Sequence, residues 1–288
     1  MTQDSCPKAT KAIKHLPPLR EVVARHAIAA RKSLGQHFLF DLNLTARIVR
    51  EAAPLTGRHV IEVGAGPGGL TRALLESDAA DVLAIETDPR CLAALAELAE
   101  AYPGRLRVHA GDALEIDDSS LVPAPRVVVA NLPYNVSTVL LRRWLGRIGS
   151  YDALTLMFQR EVAERLAAKP GGKTYGRLSI LTQWLCRVEL LFHIPASAFT
   201  PPPKIASTMV RFEPLPVPLA PADQAILERV TAAAFGQRRK MLRQSLKSLR
   251  PDTEAFLLAQ GIAPTARAEE LSIEQFCALA RALAPAGS

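Results

Sequence analysis

The feature that most constrains the fold is a glycine cluster placed between a short apolar run and a helical segment. The run His59–Val63 leads directly into the glycine-rich residues 64–69, and helical spacing resumes over residues 71–76. A buried strand that enters a glycine-rich turn and continues as a helix is typical of the first unit of an open α/β sheet. In such sheets the turn lies at the carboxyl ends of the strands, where nucleotide-like ligands bind.

The same alternation continues along the chain. Six further apolar runs are predicted strands, at residues 81–86, 106–110, 126–130, 154–158, 187–193 and 207–212. Helical spacing at residues 42–53 and 89–101 separates the earlier ones. Regular alternation of this kind predicts a doubly wound, Rossmann-like α/β sheet that is mostly parallel.

A change of character near residue 214 predicts a domain boundary. Four prolines between residues 214 and 221 indicate a stiff linker, and residues 223–284 carry only helical periodicity. We therefore predict three parts: a basic N-terminal extension over residues 1–30, the α/β domain over residues 31–214, and a small all-helical C-terminal domain over residues 215–288.

Composition and the N-terminal sequence indicate the cellular location to expect. No apolar run approaches the roughly 18–20 residues of a membrane span, and the basic N-terminus is interrupted by Pro17-Pro18 rather than containing a secretory apolar core. We expect a cytoplasmic, monomeric protein without membrane contact; a transit peptide is the alternative for the N-terminus. The four cysteines form no Cys-x-x-Cys pair, so neither a metal site nor a disulfide framework is predicted.

The positive charge is concentrated in two blocks. The net charge is +7, and residues 8–32 and 237–250 are rich in Lys and Arg, the second without any acid. Two basic blocks indicate a polyanionic partner, with a merely solvated basic face as the alternative. Helical spacing over residues 235–249 predicts that the second block forms one exposed stripe. The cations expected at nucleic acid are Arg31, Lys32, Lys204, Arg238, Arg239, Lys240, Arg243 and Lys247.

Two acids follow the next predicted strands and could hold an adenosine group. Glu86 ends the second strand, where it can accept hydrogen bonds from ribose hydroxyls. Asp112, within Gly111-Asp112-Ala113, directly follows the third strand, where it can bond an adenine amine. A lone Gly-Asp pair is more often only a turn, but in series with the glycine loop these acids predict an adenosine site.

The glycine loop alone leaves its ligand open. Gly64, Gly66 and Gly69 satisfy Gly-x-Gly-x-x-Gly, so an NAD-binding loop and an ordinary tight turn are both alternatives. Pro67 and the following glycines leave no good helix N-terminus aimed at a pyrophosphate, which NAD has and S-adenosylmethionine lacks. The sequence therefore favours S-adenosylmethionine as the cofactor.

The strongest chemical signal is Asn131-Leu132-Pro133-Tyr134 at the end of the fourth predicted strand. An adenine amine is a poor nucleophile because its lone pair is delocalised into the ring. The Asn131 side-chain oxygen and the Leu132 carbonyl can accept its hydrogens while Pro133 fixes the turn. Tyr134 can stack on the base, a contact of about 1–3 kcal/mol. The alternative is an ordinary turn at the end of a strand.

Several motifs in order resemble one enzyme family. They are Lys32-Ser33-Leu34-Gly35-Gln36-His37-Phe38-Leu39, the glycine loop, Asn131-Leu132-Pro133-Tyr134, Gln159-Arg160-Glu161-Val162, Tyr175-Gly176-Arg177-Leu178-Ser179 and Phe199-Thr200-Pro201-Pro202-Pro203-Lys204. Together they resemble the ribosomal RNA adenine dimethyltransferases, specifically the small-subunit enzymes that modify two adjacent adenosines near the 3′ end of 16S RNA.

The resemblance implies roles for particular residues. His37 and Leu39 would close over the cofactor, which Gly64, Gly66, Glu86, Asp112, Ala113 and Asn131 would bind. Phe199 would sandwich the target base with Tyr134, although a Phe before prolines is more often a core residue. The chain departs from the commonest pattern at His37, often Asn in relatives, and in its N-terminal extension. The resemblance as a whole implies an S-adenosylmethionine-dependent RNA-modifying enzyme with a C-terminal RNA-binding domain.

Other functions share part of this pattern. The large-subunit (23S) RNA methyltransferases that confer macrolide resistance have most of the motifs, but the helical domain and the Phe-Thr-Pro-Pro-Pro segment favour the small-subunit interpretation. DNA adenine methyltransferases usually have a different motif at this strand end. A transcription-factor-like binding module derived from the family is a further alternative, and the complete cofactor motifs favour an enzyme.

Overall fold

A computed structural model of the chain describes residues 16–31, 35–52 and 54–284. Its strands are β1 (Phe38–Leu39), β2 (His59–Val63), β3 (Asp81–Glu86), β4 (Leu106–Ala110), β5 (Arg126–Ala130), β6 (Ala153–Gln159), β7 (Cys186–Ile194), β8 (Phe199–Thr200) and β9 (Ser207–Pro214). Its helices are α1 (Leu19–Arg25), α2 (Leu42–Glu51), α3 (Gly69–Leu75), α4 (Pro89–Ala101), α5 (Asp118–Leu121), α6 (Tyr134–Leu145), α7 (Arg160–Leu166), α8 (Arg177–Leu185), α9 (Gln224–Gly236), α10 (Leu242–Ser245), α11 (Thr253–Ala259) and α12 (Ile273–Leu283).

Seven strands form one sheet in the order β4-β3-β2-β5-β6-β9-β7. The first five are parallel, while β9 pairs antiparallel with both β6 and β7. The strand order reverses direction on either side of β2, so the ends of β2 and β5 flank a crevice. The prediction of a doubly wound α/β sheet is confirmed.

Both faces of this sheet are covered by apolar side chains. Along β2, Ile61 and Val63 belong to one buried cluster and Val60 to another. This alternation follows from the two-residue period of a strand, whose neighbouring side chains point to opposite faces. Helices α2, α3 and α4 cover one face, whereas α6, α8 and the C-terminal helices contribute to the other cluster.

Local capping fixes where the helices near the crevice begin. The Asp41 carboxylate accepts from the Asn43 N–H at 2.9 Å before α2, and Asp88 accepts from the Arg90 N–H at 3.1 Å before α4. Pro89 occupies the first turn of α4, where its missing N–H costs no helical bond. These caps place the helix starts directly after the ends of their strands.

A second, two-stranded sheet was not predicted. Strands β1 and β8 pair antiparallel, with Phe38 opposite Thr200 and Leu39 opposite Phe199. This pairing brings the Gln-His-Phe-Leu segment and the Phe-Thr-Pro segment together above the crevice, although about 160 residues separate them in the chain.

The C-terminal part is helical from Gln224 to Leu283, as predicted. The prediction of one continuous helix over residues 235–249 is wrong. Helix α9 ends at Gly236, and α10 begins only at Leu242. Between them Met241 forms an isolated bridge with Arg267, and the Leu242 N–H donates to the Ala266 carbonyl at 2.8 Å. The chain therefore turns after a helix-terminating glycine, so the basic block does not form one stripe.

The helical part shares its core with the α/β part. Leu227, Val230 and Phe276 are fully buried and belong to the same cluster as Trp144 and Ile180. The proposed boundary at residues 214/215 coincides with the end of β9, where the proline-rich stretch begins. The extension proposed over residues 1–30 is described only from residue 16, and it includes α1.

Three cysteines are free thiols in the core. Cys91, Cys186 and Cys277 are buried. Burial raises the pKa of the Cys91 and Cys186 thiols to about 12. Such thiols stay protonated and unreactive near neutral pH. Cys6 lies outside the described residues.

Candidate active site

A cavity of ≈ 250 Å³ opens at the carboxyl ends of β2, β3 and β5. All eight residues predicted to bind the cofactor line it: His37, Leu39, Gly64, Gly66, Glu86, Asp112, Ala113 and Asn131. Leu132, Pro133 and Tyr134 line it as well. The structure therefore brings together segments that are spread over about 100 residues of sequence.

The glycine loop forms the floor of the cavity and lies under the β1 segment. Gly66 has φ +56°, and a Cβ there would meet the Phe38 ring at 3.3 Å. A side chain at this position would be strained by the positive φ and would also press on that ring. The loop conformation thus depends on glycine, and Phe38 packs directly over it.

Glu86 is held by the loop that it faces. Its Oε2 accepts from the Gly66 N–H at 2.7 Å, and its Oε1 accepts from the Thr87 and Asp88 N–H groups at 2.7 and 2.9 Å. The side chain is buried yet lines the cavity. Three backbone donors hold the carboxylate in place, and Oε2 keeps one lone pair for a ligand hydroxyl.

The charge of the lining separates the two cofactor alternatives. Among the described residues, the lining includes the acids Glu62, Glu86 and Asp112 and no Lys or Arg. A pyrophosphate would meet carboxylates without a compensating cation, which disfavours NAD. S-adenosylmethionine carries a sulfonium and an ammonium, and its adenine suits the apolar side chains of Val63 and Ile85 on the same wall. The residues present therefore fit S-adenosylmethionine.

The orientation of Asn131 is fixed by the segment above it. Its Nδ2 donates to the main-chain carbonyl of His37 at 3.2 Å. A carbonyl oxygen can only accept, so the amide nitrogen must face His37. The Oδ1 atom is then the end of the amide that is free to accept a hydrogen bond at the cavity, as the chemistry predicted for Asn131 requires.

Three aromatic rings lie close together, and two of them, His37 and Tyr134, line the cavity. The His37 ring lies 5.4 Å from the Tyr134 ring and 6.4 Å, edge-on, from the Phe199 ring. The His37 Nδ1 donates to the Pro201 carbonyl at 2.7 Å, and the Tyr134 hydroxyl is 2.6 Å from Ser207 Oγ. The first bond ties His37 to the residue after β8, and the second ties Tyr134 to the first residue of β9.

Phe199 is placed differently from its neighbours. It is only 2% exposed, packs within the core cluster and does not line the cavity. The His37 ring is a neighbour of both the Tyr134 and the Phe199 ring. The predicted sandwich of the base between Tyr134 and Phe199 stays a prediction.

Comparison with known proteins shows the family of this chain. A family model described as ribosomal RNA adenine dimethylase matches residues 27–285. The chain belongs to this family. Among its relatives, the ribosomal RNA small subunit methyltransferase A of Paramagnetospirillum magneticum is 62% identical over 268 residues, which cover 93% of this chain and 95% of the relative. The protein of the same name from Paracoccus denitrificans is 60% identical over 278 residues, covering 96% and 99%.

Solved structures agree on the fold of this dimethylase family. A dimethyladenosine transferase from Plasmodium falciparum has a TM-score of 0.70 at 24% identity and covers 84% of this chain and 96% of its own. The 23S rRNA methyltransferase ErmE has a TM-score of 0.62 at 27% identity, covering 85% and 99%. The predicted family is confirmed, and with it an enzyme that uses S-adenosylmethionine.

The predicted RNA-binding residues differ in their exposure and contacts. Arg31, Lys204, Arg239, Lys240 and Lys247 are exposed. Arg243 pairs with Glu254 at 3.1 Å, and Arg238 donates to the Gly172 carbonyl at 3.3 Å. Lys32 lies outside the described residues.

One residue of the site was missed by the sequence analysis. Glu62 is 2% exposed, lines the cavity and has a buried Oε2 without a hydrogen-bond partner among the described residues. Burial raises the pKa of its carboxyl to about 8; the nearby Thr71 hydroxyl opposes this rise, and the Glu86 carboxylate adds to it. An acid inside the otherwise apolar strand β2 was the signal that could have revealed it.

The raised pKa of Glu62 predicts a pH-dependent stability. In the unfolded chain the carboxyl ionises near pH 4.5, whereas in the folded protein it stays protonated up to about pH 8. Stability should therefore fall as pH rises between these values, by up to a few kcal/mol. In urea unfolding without ligand, Glu62→Gln should gain stability over the wild type progressively from pH 5 to pH 8.

The exposed Glu76, replaced by Gln, serves as the control and should follow the wild-type pH profile. A Glu62→Gln profile parallel to that of the wild type would show that the Glu62 carboxyl has an ordinary pKa.

Proposed function

We propose that this protein transfers methyl groups from S-adenosylmethionine to N6 of two adjacent adenosines near the 3′ end of 16S ribosomal RNA, during assembly of the small ribosomal subunit. The observation that carries the proposal is the Asn131 amide, whose nitrogen bonds the His37 carbonyl and thereby leaves its oxygen as the acceptor end in a cavity lined by three acids. Relatives named small subunit methyltransferase A, about 60% identical over nearly the whole chain, support the choice of substrate.

S-adenosylmethionine supplies an electrophilic methyl group on a positively charged sulfur. We assign a ribose hydroxyl to Glu86, the adenine amine to Asp112, and the cationic part to the acidic side of the lining. Gly64 and Gly66 keep the loop beneath the cofactor free of side chains. The enclosure is completed by His37, Leu39 and Ala113.

The chain's own groups act mainly by positioning the adenine amine. Asn131 Oδ1 and the Leu132 carbonyl accept its two hydrogens, and these bonds strengthen as the nitrogen becomes tetrahedral. Tyr134 stacks on the base, held by its bond to Ser207. Orientation alone can contribute about 7–11 kcal/mol to such a reaction. No general base is required because the ammonium product loses its proton to water.

The proposal also covers the location of the enzyme, its oligomeric state and its domains. Among the described residues, no helix is long and apolar enough to cross a bilayer. No group of three His, Cys, Asp or Glu residues in residues 16–31, 35–52 and 54–284 is arranged to hold a metal. We propose a monomeric, cytoplasmic enzyme whose α/β domain over residues 31–214 carries the reaction and whose domain over residues 215–288 binds RNA.

A 23S RNA substrate is the second candidate. A 23S rRNA methyltransferase shares the fold with a TM-score of 0.62, but the identity there is 27%, less than half of that to the small-subunit relatives. Primer extension on rRNA from a strain that lacks this gene separates the two. We expect paired stops near the 3′ end of 16S RNA only when the gene is present; a gene-dependent stop in 23S RNA instead would contradict the proposal.

RNA docking should depend on the exposed cations that follow α9. Arg239 and Lys240 project from the turn between α9 and α10. Each phosphate contact that is lost should flatten the slope of log affinity against log salt by about 0.7–0.9. The double variant Arg239→Ala, Lys240→Ala should therefore bind small subunits more weakly and with a flatter slope, without a change in S-adenosylmethionine affinity.

Arg238→Ala is the matched control within the same turn. Because Arg238 bonds the Gly172 carbonyl and lies 5.8 Å over the Phe235 ring, its loss should lower the melting temperature and leave the salt slope unchanged. An unchanged slope in the double variant would assign Arg239 and Lys240 to a solvated surface.

A further inference from the structure

The segment before the cavity is packed more tightly than a basic RNA-binding arm would be. Helix α1 buries Leu19 and Val22, and Ile28 after it is 5% exposed. Residues 16–26 also lie before the stretch that the family model matches. A helix of seven residues has little stability of its own, so its order depends on what it packs against.

Its first contact is with α3, the helix that follows the glycine loop. Arg72 Nη1 in α3 donates to the Pro17 carbonyl at 2.8 Å. On the same face, a Cβ at Gly69 would meet Leu19 Cδ2 at 3.2 Å and the Leu39 carbonyl at 2.6 Å. Gly69 is thus enclosed between α1 and β1, and only glycine fits there without moving the β1 backbone.

Its second contact is with Phe38, the residue that covers the glycine loop. Val22, Ile28, Phe38, Cys91 and Ala94 form one small apolar cluster. Phe38 both lines the cavity and packs over Gly66, so the cluster links α1 to the floor and roof of the site.

The third contact reaches the acid that faces the ribose position. Arg90 Nη1 donates to the Ala27 carbonyl at 3.3 Å, and its Nη2 bonds Asp88 at 2.6 Å. The Asp88 N–H in turn donates to Glu86 Oε1. The positive side chains of the segment are partly engaged as well, since Arg25 and His26 both bond Glu97, at 3.0 and 2.8 Å.

From these contacts we infer that the segment from Pro17 to Ile28 is a positioning element of the cofactor site, which holds Phe38 and the glycine loop in place for S-adenosylmethionine. The inference rests on the proposed function for the identity of the ligand. It differs from an RNA-binding role for the N-terminal extension, because the buried apolar residues carry the effect and the exposed cations do not.

The test compares variants of Ile28 and Arg20 in the full-length protein. Ile28→Ala removes packing under Phe38, Ile28→Val is the conservative variant, and Arg20→Ala removes an exposed cation from α1. Calorimetry measures the Kd for S-adenosylmethionine, filter binding measures the Kd for small subunits without cofactor, and amide exchange follows residues 64–70.

We expect Ile28→Ala to raise the S-adenosylmethionine Kd at least tenfold, to speed exchange in the glycine loop and to leave the small-subunit Kd within twofold. The S-adenosylmethionine Kd of Ile28→Val should stay within about threefold of the wild-type value. The Kd of Arg20→Ala should equal the wild-type value. If Ile28→Ala does not fold, Arg72→Gln takes its place, because it removes the bond to Pro17. It should likewise raise the S-adenosylmethionine Kd and leave the small-subunit Kd within twofold.

Two results would overturn the inference. One is an unchanged S-adenosylmethionine Kd in Ile28→Ala, or in Arg72→Gln where that variant replaces it, with faster exchange confined to α1. The other is that Arg20→Ala weakens small-subunit binding while Ile28→Ala keeps the wild-type Kd for S-adenosylmethionine. A wild-type protein that bound no S-adenosylmethionine would instead contradict the proposed function, and amide exchange in the glycine loop would still decide whether the segment supports that loop.

Discussion

Replacing Asn131 with alanine should lower the single-turnover rate of methyl transfer by about 10²–10³-fold, the usual effect of losing one preorganised polar contact to the transition state. The Oδ1 atom is oriented by the bond from Nδ2 to the His37 carbonyl, so no reorganisation is needed when the amine becomes tetrahedral. RNA affinity should change little, because the contact matters mainly in the transition state. Rapid-quench transfer of labelled methyl groups to small subunits, with RNA binding measured in parallel, gives both quantities.

Asn135→Ala is the matched control for this experiment, since Asn135 lines the same cavity from the first turn of α6. It should retain activity within a few fold. A loss below about tenfold in Asn131→Ala, or roughly 1.4 kcal/mol, would show that the amide does not assist the reaction.

Replacing Glu86 with alanine should abolish measurable binding of S-adenosylmethionine. It should also destabilise the protein, because the buried carboxylate accepts three backbone N–H groups, each such bond to a charged group being worth about 1.5–3 kcal/mol. Calorimetry for binding and urea unfolding for stability separate these two effects.

Glu86→Gln sharpens the experiment, because it keeps an oxygen for the Thr87 and Asp88 donors but turns an amide nitrogen toward the Gly66 N–H. Its loss of stability should be smaller than that of Glu86→Ala, while its affinity for S-adenosylmethionine should still fall. A binding isotherm equal to that of the wild type would remove Glu86 from the site, and tight NAD binding would contradict the cofactor assignment.

Much of the fold follows from the sequence because its signals are local. The apolar strands and the helix after the glycine loop are defined by neighbouring residues, and parallel strands bring their carboxyl ends to one edge. For this reason the positions of Gly66, Glu86, Asp112 and Asn131 in the sequence are enough to assign them to one cavity.

The missed features depend on contacts between distant segments. The β1–β8 pair joins two-residue strands whose sequences carry no period, and it explains why Phe199 is packed beneath His37 rather than facing the cavity. The predicted helix over residues 235–249 ignored Gly236, where α9 ends, and could not include the bridge from Met241 to Arg267. Tertiary pairing outweighed helical periodicity there.

The protonation of Glu62 also lay beyond the sequence. An acid in strand β2 was visible, but its pKa depends on burial by residues from other elements and on the distance to Glu86. Likewise, the basic residues of the N-terminal extension were apparent, whereas the burial of Leu19, Val22 and Ile28 required the positions of α3 and α4.

The central claim is that this cavity and the Asn131 turn methylate adenine N6 in small-subunit RNA. The most direct measurement incubates the purified protein with S-adenosylmethionine and small subunits that lack the modification, then digests the RNA and identifies the nucleosides by mass spectrometry. We expect N6,N6-dimethyladenosine from two adjacent positions near the 3′ end of 16S RNA, and none with Asn131→Ala. Methylation at adenine N1, at a ribose hydroxyl or only in 23S RNA would contradict the claim.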